Sequence, residues 1–191
     1  YFHKTKVRDD GSIEQIDQKH VMRYQQFFAS LEVRTKIAEG IKSGIIWHTQ
    51  GSGKTALSYH LSYVLTDYFA CKNKVAKYYF VVDRLDLMKQ AKEEFEARGL
   101  IVKTANSRTE LMEQFKTNQS QEGTTGEPVI TVVNIQRFEE NQGKIVLPPY
   151  ATNLQRIFII DEAHRGYKPE GSCLANLFDA DPNSIKIALT G

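Results

Sequence analysis

The chain has 191 residues, enough for one sizeable core and too short for two large domains. Its net charge of +2 exerts no global pull toward nucleic acid, so any such surface must be a local patch. No apolar run approaches the ~20 residues of a membrane span, and no signal-peptide pattern is present.

Residues 1–18 are polar, with His3, Lys4, Lys6 and Arg8 near the start, and read as a linker or the end of an upstream domain. From His20 to Glu39 the apolar residues Val21, Tyr24, Phe27, Phe28 and Leu31 recur at three- and four-residue steps, which predicts an amphipathic helix. The run "IIW" after Gly44 predicts a buried strand, with Trp47 packed inside it. A helix follows over 54–69, with Leu57, Leu61, Val64, Leu65 and Tyr68 on one side.

Strand and helix then alternate. Strands are predicted over 77–82, 100–104, 129–133, 156–160 and 185–189, and helices over 85–98 and 108–116. Residues 118–128 are polar and Gly-rich, a loop pattern. Continuous apolar runs such as "RIFII" match strands buried on both faces of a parallel sheet. The rhythm predicts a doubly wound α/β domain with helices on both faces of a parallel sheet, without internal repeats. Cys71 and Cys173 lie far apart without ligand-type spacing, and are read as free thiols of a reducing compartment, hence a cytoplasmic location. The chain starts at Tyr1 and stops inside the strand-like run "IALTG", so a fragment of a longer protein is expected.

The stretch "GIIWHTQGSGKT", residues 44–55, places a Gly-rich turn between a strand and a helix. Such a loop aims several backbone N–H groups at one spot, where the helix dipole adds positive potential. Gly51 and Gly53 let the backbone wrap phosphate oxygens, with Gln50 and Ser52 completing the loop. Lys54 can reach the β- and γ-phosphates of a nucleotide, and the Thr55 hydroxyl can ligate Mg2+. The strict phosphate-loop pattern asks for Gly at position 48, where this chain has His48. The departure weakens a match to GTPases and kinases and leaves "GSGKT" intact.

At the end of "RIFII" stands "DEAH", Asp161 to His164. Carboxylates there share a sheet edge with the phosphate loop. Asp161 suits Mg2+ binding through water, and Glu162 suits deprotonation of an attacking water. The pair predicts an ATPase.

"GSGKT" followed by "IIDEAH" resembles the superfamily-two helicases and translocases, whose motor is two RecA-like domains with ATP between them. The resemblance spans about residues 20–191 and implies a RecA-like P-loop NTPase domain over 19–191. "RYQQFFA" is similar to the family's Q motif, implying that Arg23 lies at the ATP site and that Gln26 reads the adenine edge. "FVVDRLDLMKQ" and "TVVNIQRF" occupy the positions of motifs Ia and Ib, implying DNA-backbone contacts by Arg84, Asn134 and Gln136. "ALTG" stands where motif III begins, implying that Thr190 couples the ATP and DNA sites through His164.

In finer detail "GIIWHTQGSGKT", "VVDRLDLMKQ" and "DEAHR" resemble the motor of type I restriction endonuclease R subunits. That implies ATP and Mg2+ as cofactors and duplex DNA as the track. Its implied partners are methylase and specificity subunits, and a second RecA-like domain of the same full-length chain. The nuclease carboxylates and the arginine finger then lie outside these residues. An arginine finger is worth on the order of 10³–10⁵ in rate, so the fragment alone is expected to hydrolyse ATP poorly. Two alternatives stay open: another superfamily-two helicase acting on RNA or repair intermediates, and a non-translocating ATP-binding switch module.

Overall fold

The computed structural model describes residues 2–49, 51–117, 129–135, 153–163 and 178–191. Cys173 and the predicted loop 118–128 lie outside the described residues. The elements run β1 (Phe2–Val7), β2 (Ile13–Gln18), α1 (Tyr24–Ala38), β3 (Ser43–Trp47), α2 (Lys54–Ala70) and β4 (Val75–Val82). They continue as α3 (Leu85–Glu96), β5 (Ile101–Ala105), α4 (Arg108–Thr117), β6 (Val129–Asn134), β7 (Leu154–Ile160) and β8 (Ile185–Thr190).

Among the described residues, six strands form one parallel sheet in the order β3-β8-β7-β4-β6-β5. The central strands bury both faces, as their unbroken apolar runs predict. Tyr78, Phe80 and Val82 of β4, with Ile157 and Ile159 of β7, join Leu57, Leu61, Met88 and Phe95 from α2 and α3. Tyr79, Val81, Phe158 and Ile160 face the other way, onto Leu111 and Phe115 of α4. Helices therefore cover both faces, and the expected α/β architecture is present.

The sequence reading of β3 needs correction. Among the described residues this strand pairs with β8 alone and forms a sheet edge, so Ile45 is 72% and Trp47 80% exposed. An apolar run tells of β-structure but not of position in the sheet, and the packing expected of Trp47 is absent. Helix α1 differs similarly. Its stripe Tyr24, Phe27, Phe28 and Leu31 faces outward, and Ala29, Val33 and Ile37 meet the core instead. The helix begins at Tyr24 and not near His20, because Gln26 Oε1 accepts the Arg23 N–H and fixes Arg23 as an extended cap.

Where a linker or domain end is expected, residues 2–18 form an antiparallel hairpin, β1 with β2. It docks on the end of α3: the His3 N–H donates to the Ala97 carbonyl at 2.7 Å, and Phe2 stacks on His20 at 4.7 Å.

Far from the carboxyl ends of the strands, Arg156 of β7 and Asp181 form an ion pair at 3.3 Å with both side chains fully buried. The guanidinium also covers the Phe115 ring at 4.6 Å. Burial holds the Asp181 carboxyl above its ordinary value, against the pull of Arg156. Asp181→Ala removes the carboxylate paired with a fully buried guanidinium and is expected to lower unfolding free energy by about 3–5 kcal/mol. Denaturant titration checks this, and an unchanged midpoint would mean that the charge is compensated elsewhere.

Candidate active site

The carboxyl edge of the sheet gathers the residues singled out by the two main motifs. β3 delivers the phosphate loop, β7 delivers Asp161 and Glu162, and β8 ends between them at Thr190 and Gly191. Gly51 (φ +79°) and Gly53 (φ +82°) adopt left-handed backbone that side-chain-bearing residues rarely take. These two turns swing the chain from β3 into α2, so that the helix begins at Lys54.

Lys54 Nζ lies 3.0 Å from Glu162 Oε1, both side chains being largely withdrawn from solvent. The contact is an ion pair, so Lys54 and Glu162 hold each other at the sheet edge. Ser52 Oγ is also buried, without a hydrogen-bond partner among the described residues. Glu162 holds φ +48°, a strained conformation for a residue with a Cβ. Such strain is common where the surrounding structure imposes a functional geometry.

Asp161 is anchored by its N–H, which donates to the Val81 carbonyl at 2.9 Å. Burial, then the neighbouring Glu162 carboxylate, hold its carboxyl above the ordinary value, and Lys54 pulls the other way less strongly. A divalent cation would keep Asp161 ionised. The donor set fits a nucleotide phosphate and Mg2+: a buried ammonium and hydroxyl, glycine backbone, the Asp161 carboxylate, and the Thr55 hydroxyl at the start of α2.

Two contributors escaped the sequence reading. A Cβ on Gly191 would lie 2.1 Å from the His48 carbonyl oxygen and 3.1 Å from Lys54 Nζ, so only glycine lets the end of β8 approach the loop. The His48 N–H donates to the Thr190 carbonyl at 2.9 Å, tying β8 to the lead-in of the loop. The "ALTG" run marks the glycine, but its neighbour was not legible. The other is Asp83, just after β4, whose Oδ1 is buried without a hydrogen-bond partner among the described residues and which adds repulsion at Asp161.

The remaining expected residues divide. Arg84 caps α3 with its side chain 58% exposed, 3.8 Å from Asp83, and is free to reach a phosphate backbone. Asn134 is fully buried at the end of β6, where the sheet takes it inward beside β4. Arg23 is exposed at the start of α1, while Gln26 is buried against the phosphate loop. Gln50, Gln136 and His164 lie outside the described residues. A cavity of about 480 Å³ between α1 and β3, lined by Val33, Ile37, Ile46 and Ile187, lies away from Asp161 and Glu162 and is no part of this site.

Residues 25–191 match the model of the SWI2/SNF2 ATPase family. The chain is 36% identical over 148 residues to the type I restriction enzyme SauCOLORF180P endonuclease subunit of Staphylococcus aureus (strain COL), covering 75% of this chain and 14% of that protein. It is 32% identical over 149 residues to the putative type I restriction enzyme MjaVIIP endonuclease subunit of Methanocaldococcus jannaschii, covering 72% and 14%. The fold is shared with the type ISP restriction-modification enzyme LlaBIII bound to DNA (TM-score 0.60, 17% identity, 94% of this chain and 13% of that one). It is shared too with a nuclease-deletion mutant of the type ISP enzyme LlaGI in complex with a DNA substrate mimic (TM-score 0.59, 17% identity, 90% and 17%). The chain thus spans about one seventh of the curated relatives it matches. A phosphate loop facing an Asp-Glu pair across one strand of a parallel sheet is an ATPase arrangement, and the chain belongs to the SWI2/SNF2 ATPase family.

Proposed function

We propose that residues 19–191 are the first RecA-like motor domain of a type I restriction endonuclease R subunit, which uses Mg-ATP to translocate duplex DNA before cleavage. The observation that carries this is the meeting of Lys54 with Glu162 beside Asp161, together with relatives that are restriction endonuclease subunits.

ATP supplies the transferable phosphoryl group, and Mg2+ the neutralisation of its charge. The backbone N–H groups of residues 51–55 and the Lys54 ammonium bind phosphate oxygens. Thr55 and Asp161 would hold the metal. Glu162 leaves Lys54 and accepts the proton of the attacking water. Arg84 holds the DNA backbone, a contact that positions the track without reading its sequence. Thr190, tied to His48, links β8 to the loop, with His164 as its expected partner. In this reading the protein works in the cytoplasm with methylase and specificity subunits and a second RecA-like domain of the full-length chain. The hairpin of residues 2–18 then belongs to the join with an upstream domain.

Steady-state ATPase of the full-length protein, assembled with those subunits, tests the proposal on unmethylated duplex, methylated duplex and RNA. Strong stimulation by unmethylated duplex alone is the expected result. Equal stimulation by every nucleic acid, or the best by RNA, would make the domain part of a general helicase. Stimulation by none would make it an ATP-occupancy switch.

A further inference from the structure

Asp83 stands just after β4 and just before α3, next in sequence to Arg84. The Val81 carbonyl accepts the Asp161 N–H and the Val82 carbonyl accepts the Ile135 N–H, both at 2.9 Å. The end of β4 is therefore held from both sides, which fixes where Asp83 begins. Its side chain is 17% exposed, and Oδ1 is buried without a hydrogen-bond partner among the described residues. The other oxygen, Oδ2, lies 3.8 Å from Arg84 Nε, near the outer limit of an ion pair. After burial and the Glu162 carboxylate, the Asp83 charge is a further push on the Asp161 carboxyl toward its protonated form.

A carboxylate so withdrawn from water costs free energy unless a cation or hydrogen-bond donors meet it. In the free protein Arg84 is the cation at hand, and its guanidinium is 58% exposed. Such a half-exposed pair is weak and exchangeable. A guanidinium can bind a phosphate through two parallel N–H bonds, a stronger contact than one long approach to a carboxylate. The DNA backbone therefore draws Arg84 away and leaves Asp83 facing the carboxylates of the ATP site. The cation suited to restore balance there is Mg2+, which keeps several of its waters and is bound through one or two carboxylates.

We propose that Asp83 is a positioning residue that couples the two sites: duplex DNA takes Arg84 from it, and the released carboxylate then supports, through water, the metal that Asp161 would hold. This rests on the proposed roles of Arg84 and Asp161. Linkage makes the coupling reciprocal, so DNA tightens metal binding and the metal tightens DNA binding by the same factor.

Mn2+, followed by electron paramagnetic resonance, is the probe, in the full-length protein assembled with its partner subunits and a non-hydrolysable ATP analogue. Unmethylated duplex, with its binding confirmed by fluorescence anisotropy, is expected to tighten Mn2+ binding about fivefold or more in the unmodified protein. In Asp83→Asn the tightening is expected to stay below about twofold. Arg84→Gln is expected to reach the tightened affinity without DNA, because its Asp83 is already released. In the double variant that gain is expected to vanish, which a mere loss of positive charge would not produce. Thermal unfolding in EDTA is expected to show Asp83→Asn at least as stable as the unmodified protein, since an amide replaces a buried carboxylate short of partners. A variant that unfolds far earlier would make Asp83 a structural residue and overturn the inference. Equal tightening in Asp83→Asn would overturn it, as would no tightening in the unmodified protein, or a gain in Arg84→Gln that survives in the double variant. Asp161→Asn, measured in parallel, separates the two levels. If it binds Mn2+ as the unmodified protein does, the fault lies in the metal-site reading and not in the coupling.

Discussion

Lys54→Ala in the full-length protein is expected to reduce ATP turnover by at least 10²–10³-fold, the scale set by losing one preorganised electrostatic contact in a site sheltered from water. The ammonium is the cation that the described residues place between the loop and Glu162, and it is 10% exposed, so no solvated lysine can stand in for it. Two effects combine in the variant. Phosphate oxygens lose their charged partner, and the Asp161–Glu162 pair loses the cation that offsets its mutual repulsion and burial. The unliganded variant should therefore also unfold at a lower temperature than the parent. Nucleotide binding, single-turnover hydrolysis and thermal unfolding read these separately. A variant that still turns over ATP and moves DNA at the parental rate would remove Lys54 from the site.

Glu162→Gln is expected to slow hydrolysis by about 10²–10⁴-fold, the usual worth of a positioned general base, while nucleotide stays bound. The geometry adds a direction for affinity. In the unliganded protein Lys54 is already paired with Glu162 at 3.0 Å, so an incoming phosphate competes with a carboxylate for the same ammonium. A neutral amide competes less, and ATP should bind more tightly to the variant than to the parent. Equilibrium binding with a fluorescent nucleotide, beside quenched-flow hydrolysis, checks both parts. Parental turnover would sink the assignment of Glu162 as base, and weaker binding would sink the competition with Lys54.

The sequence by itself determined the α/β architecture, because apolar runs such as "YYFVV" and "RIFII" alternate with helical patterns, the rhythm of a parallel sheet covered by helices. It also picked out the Gly-rich loop and the Asp-Glu pair, which the fold brings to one sheet edge. Each is local chemistry: glycines at left-handed positions and carboxylates at a strand's end, fixed by a few consecutive residues. Tertiary structure alone decided what depends on strand order. Trp47 and Ile45 are exposed because β3 lies at an edge, and no pattern within "GIIW" carries that information. Asn134 is buried because β6 lies inside the sheet. Gln26 grips residues 26 and 27 positions downstream, a contact that helix periodicity cannot foresee. Gly191 has to be glycine only because the end of β8 meets the His48 carbonyl. Periodicity encodes which faces are apolar, whereas the partner of each face is set by long-range packing, and the fine geometry of this site is made by those partners.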